Sequence, residues 1–217
     1  MCDKFYLSNQ KVKNSKNNLN KYQNKRESIK NAGRQLFVTY GFQKTTLEDI
    51  AGKVGLRKNS LYYYFPDKET LFKELIEDEV NYHFEKLKKI VLTNKSSEEK
   101  ILSIIKELTN FIHERGNKYS ITMKAFIEIN QIVDREFPEF KIRIAEMIRN
   151  ILSEGIKKNE FKKHNTKQVS DDIVFLVRSI ELNYFYNSDV QFVYELDFDM
   201  LFKTMKRITK YIFKGLK

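Results

Sequence analysis

The sequence predicts an all-α protein, with a short helix-turn-helix in its first third and a larger helical body behind it. Apolar residues recur at the i, i+3, i+4, i+7 spacing of helix faces, and no apolar-polar alternation persists long enough to make a strand. Ala51, Gly55 and Leu61 stand in the spacing A-x3-G-x5-L, which suits two short helices meeting at a tight turn. Alanine is small where the helices cross, glycine takes the positive φ of the turn, and leucine buries the second helix.

The first helix of this pair has a predictable start. Either Thr45 with Glu48 or Thr46 with Asp49 can form a capping box, which places the N-terminus within a residue of Thr46. Amides at a helix start attract anions, so Thr46 is a candidate phosphate contact if it faces DNA. The apolar positions of the two helices predict core rather than site: Leu47, Ile50, Ala51, Val54, Leu61 and Phe65.

The second helix begins with polar residues whose types suit the major groove of DNA: Arg57, Lys58, Asn59 and Ser60. Arginine and lysine can donate to guanine, asparagine can pair with adenine, and serine can reach either a base or a phosphate. Hydroxyl contacts to phosphates, which position a protein without reading sequence, are predicted for the next three aromatic residues, Tyr62, Tyr63 and Tyr64.

Basic charge is concentrated at the N-terminal end. Residues 1–68 hold 14 Lys/Arg and 5 Asp/Glu, a net of +9, whereas residues 69–217 hold 26 and 24, a net of +2. A basic head on a nearly neutral body indicates a nucleic-acid binder, because a uniformly basic surface would have favoured membrane or general polyanion binding. The alternative is that a lysine-rich chain is merely soluble.

Residues 1–24 are predicted to form a basic N-terminal arm that is disordered in isolation. Asn, Lys, Ser and Gln dominate this segment, and six Lys against one acidic residue leave a charge of +5 by residue 25. Two interpretations stay open. The arm follows the DNA backbone or enters a minor groove, or it is a solvated tail.

Several short segments together resemble the N-terminal domain of TetR-family transcriptional regulators over about residues 25–72: Gly41-Phe42, Thr45-Thr46, Ile50-Ala51, Val54-Gly55-Leu56, Ser60-Leu61-Tyr62, Tyr64-Phe65, and Lys68 with Leu71. The resemblance implies a homodimer with a three-helix DNA-binding head, here residues 25–68, and a larger helical effector-binding and dimerisation domain, residues 69–217. It also implies that Lys68 contacts a phosphate. Many members have a small residue or proline where this chain has Asn59, so a base contact there does not carry over.

The body is predicted to be helix after helix, from apolar periodicity and from the residues that start and stop helices. The expected bounds are 72–90, a start at Ser96 or Ser97 with an end at Gly116, 119–136, 141–158 after a break at Pro138, 166–186 and 199–213.

Two sets of body residues are candidates for function. The first is an apolar seam in the last two helices, where the resemblance places a four-helix dimer bundle and where packing within one chain is the alternative: Ile180, Leu201, Met205, Ile208 and Ile212. The second lies on helices that, by resemblance, line an effector cavity: Phe111, Met123, Phe126 and Ile127. His83 interrupts an apolar helix face, which a hydrogen bond in the core or partial exposure would also explain. Such a cavity would suit a hydrophobic or aromatic small molecule.

Catalysis, metal binding and export are not indicated. His83, His113 and His164 have no histidine partner at i+4, and no H-E-x-x-H, G-x-S-x-G or P-loop motif is present. No signal peptide and no apolar run of about 18 residues appear. The sequence therefore predicts a cytoplasmic protein that is not an enzyme, has no metal or cofactor and does not enter a membrane.

The leading hypothesis is a sequence-specific transcriptional regulator, a repressor that a small, largely apolar effector releases from a pseudo-palindromic operator in double-stranded DNA. Two alternatives stay open. One is a DNA-binding protein of the same fold with an architectural or division-linked role and no inducer. The other is a helical binding module whose head has lost DNA binding, against which Lys58, Tyr62 and Lys68 argue.

Overall fold

The structure is a computed structural model that describes residues 2–217, with side chains described from residue 17 onward. Within these residues the chain forms α-helices and one short 3₁₀ helix, which confirms the all-α class. The bounds are α1 Cys2–Tyr40, α2 Leu47–Lys53, α3 Lys58–Leu61, α4 Lys68–Val91, α5 Ser97–Tyr119, α6 Met123–Glu136, α7 Glu139–Lys157, α8 Thr166–Tyr186, the 3₁₀ helix Val193–Glu195, and α9 Phe198–Leu216.

The chain divides into two units. The head holds the residues up to Phe37 together with Gln43–Leu75, and the body holds Val38–Phe42 together with Ile76–Lys217. The division therefore falls inside α4 and not at the predicted boundary between residues 68 and 69. The physical reason is that the first two turns of α4 contribute buried side chains to the head, namely Leu71, Phe72 and Leu75.

The N-terminal segment differs from the irregular arm that its composition predicts, because α1 begins at Cys2 and continues to Tyr40. Neither proline nor glycine interrupts the chain before Gly33, so the i to i+4 backbone hydrogen bonds are available throughout. The side chains of residues 1–16 lie outside the described residues. A contact of this segment with DNA stays a prediction.

The end of α5 corrects one predicted boundary. Gly116 lies within α5, and the helix ends only where Ser120 adopts a left-handed conformation with φ of 48°. A Cβ atom at Gly116 would stand 2.7 Å from Cγ1 of Val193, so the glycine permits close approach of the 3₁₀ helix. The next helix accordingly begins at Met123 rather than at residue 119, with Thr122 as its N-cap.

The core of the body lies among α5, α7, α8 and α9. The last helix turns one face inward, and its buried residues are Phe198, Leu201, Met205, Thr209 and Phe213. Met205 is tied to α5 through its sulfur, 3.9 Å from Oγ1 of Thr109. Most of the apolar face of α9 therefore packs inside its own chain and does not need a partner to cover it.

The turn between α2 and α3 depends on one glycine. Gly55 has a φ of +68° and open space around its Cα, so only backbone strain opposes a side chain there. Gly52, three residues earlier in α2, also has open space but lies within the helix.

We expect Gly55→Ala to destabilise the head by about 1–2 kcal/mol, the cost of a left-handed conformation for alanine. Gly52→Ala should instead stabilise it by roughly 0.5–1 kcal/mol, because alanine loses less backbone entropy in a helix. Hydrogen exchange of the amides of residues 47–65 in the full chain measures both changes. Shifts of the same sign in the two variants would contradict the assigned role of Gly55.

Candidate DNA-binding site and body cavity

The start of α2 is fixed by a capping box. Oγ1 of Thr46 accepts from the amide of Asp49 at 3.1 Å, and Oδ2 of Asp49 accepts from the amide of Thr46 at 2.9 Å. The Thr46 hydroxyl also donates to that carboxylate at 2.6 Å, and these bonds lower the pKa of Asp49. Of the two capping boxes considered, Thr46 with Asp49 is the one formed, and Thr45 is buried. Thr46 is exposed and stays a candidate phosphate contact.

The junction of α2 and α3 has the predicted geometry. Ala51 is buried at the helix crossing, and its carbonyl accepts from the amide of Leu56 at 2.8 Å across the turn. Leu61 and Phe65 are completely buried, as their four-residue spacing predicts. The remaining face of α3 is thereby directed outward.

That outward face begins with a run of exposed polar side chains: Arg57, Lys58, Asn59 and Ser60. Arg57 is the N-cap of α3 and forms no side-chain capping bond. Nζ of Lys58 lies 3.6 Å from Oε2 of Glu48 on α2. Exposed pairs of this kind contribute about 0–1 kcal/mol, so separating Lys58 from Glu48 would cost little.

The three tyrosines after α3 have different environments. Tyr62 is 45% exposed and Tyr63 is 74% exposed, so both can reach a phosphate. Tyr64 is only partly exposed, and its ring stacks on Tyr22 of α1 with centroids 5.0 Å apart. Tyr22 also meets Tyr63 edge to face at 5.5 Å.

Three residues of α1 that sequence reasoning did not single out hold this site together. Besides the Tyr22 contacts, Nζ of Lys25 donates to the carbonyl of Val54 at 2.9 Å, at the end of α2. The guanidinium of Arg26 lies 4.5 Å from the centre of the Phe65 ring and forms an ion pair with Glu74. These residues precede the buried Ile29 at the spacing i, i+3, i+4, i+7, which is the pattern that could have identified them.

Lys68 is the first residue of α4 and is partly exposed. The turn before it is fixed by Asp67, whose carboxylate accepts from the amide of Thr70 at 2.6 Å. Hydrogen bonding with Thr70 lowers the pKa of Asp67. The structure thus places Lys68 at a helix start, where the resemblance expects a phosphate contact.

The body contains a cavity of about 210 Å³ that is lined by α4, α5, α6, α7 and α8. His83 and Phe111 line it, and their rings lie 4.4 Å apart. Met123, Phe126 and Ile127 are not among its lining residues, which corrects the sequence interpretation for α6. Phe126 packs edge-on against Phe185 at 4.9 Å, so the first half of α6 joins the core.

The second half of α6 contributes polar groups to the cavity wall. Nη2 of Arg178 on α8 donates to Oδ1 of Asn130 and to Oδ2 of Asp134, both at 2.9 Å. Nη1 of Arg178 donates to Oε2 of Glu181 at 3.3 Å, and Nζ of Lys141 lies 3.2 Å from Oδ1 of Asp134. Burial raises the pKa of Glu181 against the opposing effect of Arg178.

The predicted dimer seam divides into two groups. Leu201 and Met205 are buried in the core of their own chain and are unavailable to a partner, which corrects their assignment. Ile180, Ile208 and Ile212 are partly exposed. The most exposed large apolar side chains on α8 and α9 were missed: Phe175, 71% exposed, and Tyr211, 62% exposed.

The described part of the chain carries no candidate metal site and no candidate membrane span. No group of three or more His, Cys, Asp or Glu side chains there could hold a metal ion. None of the described helices combines the length and the apolar character needed to cross a bilayer.

The head therefore combines a helix-turn-helix, an exposed polar start of the second helix, and basic residues on the flanking helices. These features define a DNA-binding protein of the transcriptional-regulator class. The family model described as "Bacterial regulatory proteins, tetR family" matches residues 29–75. Most of the matched residues lie in the head, and members of this family are DNA-binding regulators and not enzymes.

Similar proteins support this assignment along the chain. The biofilm operon icaADBC negative transcriptional regulator IcaR of Staphylococcus epidermidis is 27% identical over 122 residues, which cover 56% of this chain and 62% of that protein. The transcriptional repressor KstR2 of Mycolicibacterium smegmatis is 24% identical over 139 residues, 64% of this chain and 68% of that protein. A crystal structure of a transcriptional regulator from Cytophaga hutchinsonii has 27% identity and a TM-score of 0.67, over 88% of this chain and 98% of that one.

Proposed function

We propose that this chain is a homodimeric repressor that binds a pseudo-palindromic operator and is released from it by a small effector. The observation that carries the proposal is the exposed start of α3, held outward by the buried Leu61 and Phe65. Two heads bound to half-sites one helical turn apart would each place an α3 helix in the major groove. The names of IcaR and KstR2, a negative regulator and a repressor, support repression as the direction of control.

The effector part of the proposal is supported by the body cavity. Thirteen of its nineteen lining residues are apolar, and a few polar groups converge on it, which is the usual composition of a small-molecule site. An effector that binds one conformation of the body more tightly than another shifts the protein away from its operator-bound form.

The proposal is tested by electrophoretic mobility shift with the DNA that flanks the chain's own gene. We expect a specific complex that survives excess competitor DNA and that one class of small molecules dissociates. Absence of a specific complex would favour the helical binding module. A complex that no compound from a metabolite panel dissociates or stabilises would favour a DNA-binding protein without an inducer.

Lys58 and Lys68 should respond differently to truncation. Lys58→Ala should cost about 1–3 kcal/mol and relax preference at one base pair per half-site, because Lys58 lies in the first turn of α3. Lys68→Ala should weaken binding to all DNA sequences alike. It should also lower the slope of log affinity against log salt by about one per head. Affinities for one series of operator variants at several salt concentrations measure both. If both variants lost the same affinity for every operator sequence, Lys58 would be a phosphate contact and not a base contact.

A further inference from the structure

We propose that the effector is an uncharged, largely hydrocarbon molecule with one hydroxyl or carbonyl group, which forms a hydrogen bond with His83 inside the body cavity. This inference rests on the proposed function, since it presumes that the effector occupies this cavity. Three features carry it: the unused hydrogen-bonding atoms of His83, the mutual neutralisation of the charged lining residues, and the apolar remainder of the wall.

His83 has hydrogen-bonding capacity that the protein does not use. Its side chain lines the cavity and is 6% exposed, yet neither Nδ1 nor Nε2 has a hydrogen-bond partner among the residues whose side chains are described. Burying such a group without a partner costs free energy, so a site that retains it favours a ligand that completes the bond. The histidine is thus neither a core residue satisfied by a hydrogen bond nor a half-exposed one.

His83 is an uncharged partner at neutral pH. Burial, together with the positive charges of Lys86 and Arg115, lowers the pKa of His83 to about 4, and Glu114 opposes this shift. A neutral imidazole presents one N–H donor and one acceptor nitrogen. A hydroxyl group can use either atom, and a carbonyl group can accept from the N–H.

The charged residues that line the cavity are already matched with one another. Arg178 is held by Asp134 and Glu181, and Lys141 pairs with Asp134. A carboxylate ligand would bring a third negative group to Arg178, and an ammonium ligand would bring a third positive charge beside Asp134. Either ion would lose its hydration without gaining an unmatched counter-ion, so ionic ligands are disfavoured.

The rest of the wall selects for hydrocarbon. The apolar side chains that line the cavity include Val80, Leu108, Ile144 and Val174, and the ring of Phe111 lies against His83. These surfaces offer dispersion contacts and burial of apolar area but no hydrogen bond from their side chains. The cavity of about 210 Å³ is smaller than the roughly 300–1,000 Å³ of typical ligand sites, which favours a small ligand over a large conjugate.

The test compares three probes with the same chain and different head groups: 1-octanol, octanoate and octylamine. Isothermal titration of each into the full protein, without DNA, should show octanol binding at least tenfold more tightly than the two ions. Binding should also give a negative heat-capacity change, as expected for burial of apolar surface.

Three variants connect binding to the structure. His83→Phe keeps an aromatic ring but removes both nitrogens. It should lower the affinity for octanol roughly 3- to 10-fold, which corresponds to the loss of one hydrogen bond. His113→Phe is the matched control, since His113 is exposed on α5 and stacks on Phe198, and octanol binding should not change. Val174→Trp should fill the cavity and abolish octanol binding. Circular dichroism checks that each variant is folded.

Octanoate or octylamine binding as tightly as octanol would overturn the inference. Unchanged octanol affinity in folded His83→Phe, or no binding of any probe, would overturn it as well. A different outcome would contradict the proposed function and leave this inference intact. If octanol binds through His83 but no ligand of the cavity alters operator affinity, release by an effector is wrong while the ligand class stands.

Discussion

Replacing Phe175 by glutamate is expected to convert the proposed dimer into monomers. Phe175 is 71% exposed in the middle of α8, and Tyr211 is 62% exposed on α9, the two helices on which the resemblance places dimerisation. A large aromatic side chain that leaves most of its surface exposed suits a hydrophobic interface between copies. A carboxylate buried at that position would lose its hydration and would oppose association.

The loss of operator affinity in Phe175→Glu should be about 10²- to 10⁴-fold, because two linked heads bind a palindrome with the advantage of effective concentration. Sedimentation equilibrium measures the mass and a shift assay with the full operator measures affinity. Leu92→Glu is the matched control: Leu92 is 83% exposed beyond the end of α4, so this variant should remain a dimer. A stable dimer of Phe175→Glu would place the interface elsewhere.

Arg178→Met is expected to destabilise the body by about 3–5 kcal/mol at pH 8, the usual cost of leaving a buried charge without its partner. Glu181 is 5% exposed and accepts a hydrogen bond from Arg178, which also connects α8 to α6 through Asn130 and Asp134. Urea unfolding of the full chain, followed by circular dichroism, measures the change.

The effect of Arg178→Met should depend on pH. Burial raises the folded-state pKa of Glu181 above its ordinary value of 4.5, so its contribution to stability is fully present below that value and is lost as pH rises through the folded-state pKa. Without Arg178 this pKa rises further, and the penalty should be smaller at pH 5 than at pH 8. Adding Glu181→Gln removes the charge and should restore most of the stability. A penalty independent of pH would mean that lost packing, and not charge, is responsible.

The parts of the head predicted correctly are those set by short-range chemistry. The capping box of Thr46 with Asp49 and the positive φ of Gly55 each depend on residues a few positions away, so spacing alone indicates them. The burial of Leu61 and Phe65 follows from helix geometry in the same way. What spacing does not show is that Tyr22 of α1 meets Tyr63 and Tyr64 across more than forty residues of chain.

The errors in the body arise because helical periodicity identifies a buried face but not what covers it. The seam containing Leu201 and Met205 was correctly apolar, yet its partner is α5 of the same chain. A glycine at position 116 suggests the end of a helix. In the structure it lies inside α5, where the close approach of the distant Val193 leaves no room for a side chain. In α6 the sequence pattern does not distinguish the half that packs on Phe185 from the half that lines the cavity.

The contacts between α1 and α3 restrict how operator preference could be transplanted. α3 is four residues long and lacks a side-chain cap, so its orientation depends on neighbours such as Tyr22, Lys25 and Arg26. A chimaera that receives only residues 57–64 would inherit the side chains proposed to contact bases without the α1 residues that hold α3 in position. The smallest segment that could carry this protein's preference into another regulator is residues 22–74, which also includes Glu74, the partner of Arg26.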